Sequence, residues 1–380
     1  MKWWAVIIFS VFFSVMCCLR AGAENEADFT EVSARSAILV CRNNGRVIFE
    51  KNPDEKLGMA STTKIMTTLI ALEQAKAEDK EVTFGKEMTA EGSSMYLKEG
   101  YRLRLSDLAA GMMSVSGNDA ANAAAFAVSG SKESFGKLMN SKAEQIGMRN
   151  THFVTPSGLD DDEHYSTARD MAKLMDYAMS NEAFAELTSK KNVRVDFIKP
   201  ENMSVTYGNH NKLLSLYEYC NGGKTGFTTK SGRCLVSSAE KEGVKLIAVT
   251  LNAPDDWNDH IKMYEYGFSR LSAVSNADDG YCLNIDVVGG KADFVRLIPV
   301  RGVDYVKSPD SKGRLTRRVI IDKFLYAPLE KGQAVGTAQY FLDGEKICEI
   351  PLVTASAVEA LEKKKGIMQN IFDFFAGIFR

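Results

Sequence analysis

The chain has 380 residues, 45% of them apolar and 25% charged, with a formal net charge of −2. That length suggests two domains plus tails, and the balance is that of an ordinary globular protein. No basic excess argues for a nucleic-acid partner.

The chain opens with Lys2, an apolar run from Trp3 to Leu19, and Ala21-Gly22-Ala23. A short basic start, an apolar stretch and a small-x-small site predict a signal peptide over 1–23, cleaved after Ala23. An uncleaved anchor is the alternative, although the run is short for about 20 spanning residues. Cys17-Cys18 raises lipidation, but Met16 stands where a small residue is needed. Cys41, Cys220, Cys234, Cys282 and Cys348 remain after cleavage, an odd number without metal spacing. Buried free thiols are expected, with a Cys282–Cys348 pair as the alternative.

Ser36–Cys41 has a strand pattern, Asn44-Gly45 reads as a hairpin turn, and Arg46–Glu50 returns. Met59 to about Ala77 predicts a helix with apolar positions at Ile65, Met66, Leu69 and Leu72. Further helices are predicted from Ser106-Asp107 to Met113, over Ala120–Val128, and over Lys132–Ile146. Thr167 and Asp170 resemble a capping box ahead of Met171–Met175. From about Val193 the rhythm turns to strands. Gly222–Thr228 and Arg233–Ala239 flank a turn, Lys245–Leu251 follows, and Trp257–Leu271 closes as a helix. This predicts an α+β domain over 29–275, an antiparallel sheet covered by helices. Short strands between Cys282 and Thr354 predict a small β-rich domain over 280–356. At the end, Ile367, Ile371, Phe374, Phe375 and Ile378 share a helical face. A helix over 366–380 would be about 22 Å long, too short to span a bilayer of about 30 Å. A basic lead-in and a polar opposite face suit a helix lying on a membrane surface, with docking on the protein itself as the alternative.

Three short motifs carry chemistry. In Ser61-Thr-Thr-Lys64, helical spacing places the amine one turn from the hydroxyl. A serine needs a base to become a nucleophile, and a lysine is a base only if its pKa falls. Two other Ser-x-x-Lys matches, Ser134–Lys137 and Ser238–Lys241, lack the apolar helix that follows Ser61 and read as surface coincidence. Ser116-Gly117-Asn118 breaks two apolar helices and is either a helix cap or a site wall. As a wall, Ser116 could relay a proton, and Asn118 could bond the substrate amide and hold Lys64. Lys224-Thr225-Gly226 lies on a predicted strand, with Lys224 and Gly226 on one face and Thr225 on the other. Its glycine leaves room for another backbone, so a substrate peptide could lie alongside, its carboxylate held by Lys224 and a hydroxyl. Lys230-Ser231-Gly232 is a rival that looks like the hairpin turn.

In this order the motifs resemble those of penicillin-binding proteins and class A β-lactamases. The chain is similar to the low-molecular-weight penicillin-binding proteins that act as serine-type D-alanyl-D-alanine carboxypeptidases. Gly92-Ser-Ser-Met-Tyr-Leu-Lys98, Ser116-Gly-Asn-Asp-Ala-Ala121, Gly147-Met-Arg-Asn-Thr-His-Phe153, Pro156-Ser-Gly-Leu159 and His164-Tyr-Ser-Thr-Ala168 carry the likeness further. It covers about Ser33 to Leu271, and the small β domain and terminal helix match the family's layout.

The resemblance implies Ser61 as nucleophile, Lys64 as general base, and Ser116 and Asn118 in the proton network. It implies Lys224 and Thr225 at the terminal carboxylate, and the backbone N–H groups of Ser61 and Phe227 as oxyanion hole beside Gly226. The substrate would be peptidoglycan stem peptides ending in D-Ala-D-Ala, with β-lactams acylating Ser61 as mimics. No metal or cofactor is implied. The protein would be exported and peripheral on the outer face of the cytoplasmic membrane. Two departures stand out: Phe227 replaces a frequent His, and Asn252-Ala-Pro-Asp-Asp-Trp257 lacks an Arg that some relatives use on the carboxylate. No Glu-x-x-Leu-Asn motif lies between Ser116 and Lys224, which disfavours a class A β-lactamase. Endopeptidase or transpeptidase action on cross-links is a second rival function, and a catalytically silent penicillin-binding scaffold is a third. His152, His164, His210 and His260 show no metal spacing, and His210 is the one placed near the cleft.

Overall fold

The computed structural model describes residues 32–362; the signal peptide expected over 1–23 and the helix expected over 366–380 lie outside the described residues. The first strand, β1 (Ser36–Cys41), turns at Gly45 into β2 (Val47–Lys51). Gly45 has φ +73°, the left-handed conformation that glycine adopts without a Cβ penalty. A 3-10 turn over Ala60–Thr63 leads into α1 (Lys64–Ala77), whose first nine residues are buried. A short ribbon of β3 (Glu81–Thr83) and β4 (Arg102–Arg104) comes next, followed by α2 (Leu105–Ser114), α3 (Asn118–Ser129) and α4 (Lys132–Ile146).

Helix α5 (Ala168–Met179) is capped by Thr167, whose hydroxyl accepts from the Asp170 N–H. Only half of the expected capping box forms. The Asp170 carboxylate instead accepts from the Asn150 N–H at 2.7 Å and the Thr151 hydroxyl at 3.0 Å, fastening a loop to the helix. Helix α6 (Glu182–Ser189), a ribbon of β5 (Asn192–Asp196) and β6 (Ser204–Gly208), and the single turn α7 (Leu213–Leu216) follow. The meander is β7 (Cys220–Thr228), β8 (Gly232–Lys241) and β9 (Val244–Leu251), closed by α8 (Asp256–Arg270).

The central sheet is antiparallel in the order β2-β1-β9-β8-β7. Alternation along its strands sends Ile38, Val236, Ile247 and Val249 to one core with α1–α5. Leu39, Leu235, Leu246 and Ala248 go to a second core under Met263 and Tyr264 of α8. Burying both faces leaves β7 as an edge beside the 3-10 turn at Ser61.

The β-rich remainder comprises β10 (Ser272–Ala277), β11 (Leu283–Val288), β12 (Phe294–Pro299), β13 (Val303–Lys307), β14 (Leu315–Ile321), β15 (Phe324–Tyr326), β16 (Ala334–Leu342) and β17 (Glu345–Thr354). Six of these strands form one sheet, and β10 pairs with β13. Val306 of β13 packs into the core under α8, and Arg46 reaches Ser308 and Asp310, which joins the two units. All five described cysteines are free. Cys41, Cys220 and Cys234 are buried as expected, whereas Cys282 and Cys348 are only half-buried.

Candidate active site

The 3-10 turn that presents Ser61 begins at Ala60, a non-glycine residue with φ +46°. Such a backbone costs about 1–3 kcal/mol and persists only where its surroundings hold it. Two glycines do so. A Cβ on Gly158 would lie 2.0 Å from the Ala60 carbonyl oxygen, and one on Gly226 would lie 2.9 Å from the Ser61 nitrogen. The backbone expected to approach Gly226 is therefore the chain's own turn at Ser61.

Lys64 is fully buried on the first turn of α1. Its Nζ lies 2.9 Å from Ser61 Oγ, 2.7 Å from Asn118 Oδ1 and 2.6 Å from the Ser157 carbonyl oxygen. Burial pulls its pKa well below the usual lysine value and the nearby Lys224 charge adds to this, while Asp119 opposes it. Asn118 is fixed at both ends. Its N–H donates to the Ser93 carbonyl and its Nδ2 to the Glu91 carbonyl, which orients Oδ1 toward the amine.

Ser116 is buried, has φ +61° and lines the cleft. The Ncap position of α3 falls on Gly117, and no side chain caps it, so Ser116 is a wall rather than a cap. Lys224 is 1% exposed, and its Nζ donates to the Thr225 carbonyl at 2.9 Å. Burial lowers its pKa to about 7. Lys224 shares the strand face on which Gly226 packs against the Ser61 turn, near enough for its charge to act on Lys64, while Thr225, Gly226 and the exposed Phe227 line the cleft.

That cleft measures about 350 Å³ and is completed by Ser61, Ser93, His210, Lys212, Arg233, Asp256 and Trp257. Placement of His210 there agrees with the expectation from sequence. Burial and the Lys224 charge lower its pKa. The other histidines are structural. His164 Nδ1 faces the Val154 and Thr155 N–H groups and its Nε2 faces Thr63 Oγ1 at 2.8 Å. His260 is buried between Ser237 and Thr250, and His152 sits against the Glu163 carbonyl.

Of the rival motifs, Ser134 and Lys137 are exposed on α4. Ser238 is buried rather than superficial, yet on a strand it and Lys241 point to opposite faces. Lys230 occupies the β7–β8 turn and pairs with Asp162. Several cleft residues are not evident from sequence. Ser157, behind the cleft wall, lies in the 156–159 segment singled out from sequence, but its contact with Lys64 is through a backbone carbonyl that no side chain reveals. Arg233, Asp256 and Trp257 converge through sheet register. Ser93 had a signal in the 92–98 segment.

The family model described as D-alanyl-D-alanine carboxypeptidase matches residues 22–255, and that of the penicillin-binding protein 5 C-terminal domain matches 274–360. The D-alanyl-D-alanine carboxypeptidase DacC of Escherichia coli is 34% identical over 382 residues, covering 96% of this chain and 93% of the relative. DacF of Bacillus subtilis is 32% identical over 331 residues, covering 84% of each. Penicillin-binding protein 5 from Haemophilus influenzae superposes with a TM-score of 0.65 at 30% identity, covering 87% of this chain and 98% of that one. On this sequence, this fold and this cleft, the chain belongs to the D-alanyl-D-alanine carboxypeptidase family of serine peptidases.

Proposed function

We propose that the chain removes the terminal D-alanine from peptidoglycan stem peptides through an ester on Ser61. One observation carries the reading: two of the three oxygens around Lys64 Nζ can only accept. A neutral amine has two hydrogens and one lone pair. Asn118 Oδ1 and the Ser157 carbonyl take the hydrogens, which leaves the lone pair for the Ser61 hydroxyl to donate into. The burial and charge that lower the Lys64 pKa favour that neutral form.

In acylation, Ser61 Oγ attacks the carbonyl carbon of the penultimate D-alanine as its proton passes to Lys64 Nζ. The oxyanion draws on the backbone N–H groups of Ser61 and Phe227, fixed donors of the kind that stabilise developing charge. The C–N bond then breaks. The proton moves from Lys64, through the Ser116 hydroxyl, to the leaving amine, and D-alanine departs. In the second half water attacks the ester carbonyl as Lys64 accepts its proton, the C–O bond to Ser61 breaks, Lys64 returns the proton to Ser61 Oγ, and the peptide shortened by one D-alanine leaves with a free carboxylate. Asn118 holds Lys64 through Oδ1, and with its Nδ2 on the Glu91 carbonyl and its side chain off the cleft wall it acts by positioning the base. Thr225 offers its hydroxyl to the carboxylate, while the nearby Lys224 charge helps depress the Lys64 pKa. Penicillins acylate the same oxygen.

The leader over 1–23 and the surface-seeking segment over 366–380 support an exported enzyme, peripheral on the outer face of the membrane. No helix among the described residues is long and apolar enough to cross a bilayer. The test is to incubate the chain with diacetyl-Lys-D-Ala-D-Ala and assay free D-alanine. Release that disappears in Ser61→Ala supports the reading; no release, or release that survives the substitution, overturns it.

A further inference from the structure

The proposed substrate ends in a carboxylate, and the cleft must meet that charge with a cation. Lys64 serves as the base. Lys224 is 1% exposed, its amine donates to the Thr225 carbonyl, and neither lysine is among the residues lining the cleft, so neither presents an exposed charge there. The loop over 252–257 holds no Arg.

Strand β8 supplies one. Arg233 is the cross-strand partner of Phe227, and Thr225 is opposite Leu235. Opposite residues share a face, and diagonal neighbours lie about 7–8 Å apart, within reach of a long side chain. Arg233 and Thr225 are such a diagonal pair, and both line the cleft.

The guanidinium is also held in place. Nε and Nη2 donate to Asp256 Oδ1 at 3.1 and 2.7 Å, and Cζ lies 5.6 Å from the Trp257 ring centroid. Asp256 is buried at the start of α8, and its Oδ1 also accepts from the Trp257 N–H. With Nε and one face of Nη2 committed to Asp256, Nη1 and the outer edge of the fork remain for a ligand. The Arg233 side chain keeps 40% exposure, whereas that of Asp256 keeps 3%. The pair is thus a buried anion orienting a cation at the cleft wall. An arginine fork suits a carboxylate because its planar donors match the two oxygens.

We infer that Arg233, positioned by Asp256 and Trp257, binds the substrate's terminal carboxylate together with the Thr225 hydroxyl, so that selection for a free C-terminus resides on β8. This rests on the Ser61 acylation reading. Lys212, exposed elsewhere on the cleft wall, is the competing cation.

The test uses the full chain as wild type, Arg233→Gln, Arg233→Lys and Lys212→Gln. The second-order rate of Ser61 acylation is measured with benzylpenicillin and with its methyl ester, which lacks the charge. Wild type should prefer the acid. Arg233→Gln should lose about 10–100-fold on the acid while reacting normally with the ester, and Arg233→Lys should recover part of the loss. Intact ester reactivity shows that the nucleophile is still assembled. An equal loss on acid and ester, no loss on either, or a loss confined to the acid in Lys212→Gln in place of Arg233→Gln would each overturn the assignment. A wild-type chain that acylates with neither compound would instead overturn the Ser61 reading.

Discussion

A charged lysine has three hydrogens and no lone pair, so the chemistry at Lys64 turns on one proton. Lys64→Arg keeps a long cationic side chain but removes any means of deprotonation. Acylation by a fluorescent penicillin should fall about 10²–10⁴-fold, with the fold retained by circular dichroism. Lys224 is the other buried amine, with its pKa lowered to about 7 from an unfolded value of about 10.4. The folded chain therefore binds fewer protons than the unfolded chain between about pH 7 and 10, and stability rises with pH across that window. Lys224→Met removes the burial cost. It should raise stability at pH 7 by about 1–3 kcal/mol, flatten that pH slope in urea titrations, and lower activity. Ser61 and Lys64 were legible because a spacing of three residues across the 3-10 turn into α1 fixes their contact locally. The Ser157 carbonyl was not, since a loop far along the chain carries it to the amine.

At the level of elements, the turn before α1 is clamped by glycines whose missing side chains are filled by backbone. A methyl group on Gly158, with φ +81°, would lie 2.0 Å from the Ala60 carbonyl oxygen and 2.7 Å from Thr63 Oγ1. Gly45 has a similar φ of +73° but meets nothing within 4 Å. Gly45→Ala should cost only about 1 kcal/mol, from the left-handed backbone alone. Gly158→Ala should cost about 3 kcal/mol or more and slow penicillin acylation; urea midpoints and labelling rates check both. The β1–β2 hairpin and the meander were legible from turn residues and alternation. The meeting of Arg233 with Thr225 was not, because it depends on β7–β8 register and on where α8 begins. Thr167 was read correctly as a cap, yet the Asp170 carboxylate found a tertiary partner at Asn150 that outcompeted the local one.

Over the whole molecule, two units were legible from composition, but their joint was not. Val306 enters the core under α8 from a strand that sequence alone assigns to the other unit. Buried histidines set the response of the first unit to acid. Burial holds the His164 pKa at about 4 and the His260 pKa at about 3, against about 6.5 unfolded. Because both are depressed, their neutral forms support the fold above pH 6.5, and that support is lost as pH falls toward 4 and 3. Urea stability should drop by roughly 2–5 kcal/mol between pH 7 and pH 4.5. His164 binds the N–H groups of the loop that brings Ser157 to Lys64, so penicillin labelling should decline over the same range.

The central claim is covalent, and mass spectrometry reads it directly. After treatment with benzylpenicillin, the folded chain should gain the mass of one penicilloyl group. Peptide mapping should place it on Ser61, and Lys64→Arg should slow its appearance. A folded, unlabelled protein, or an adduct on any other side chain, would contradict the account.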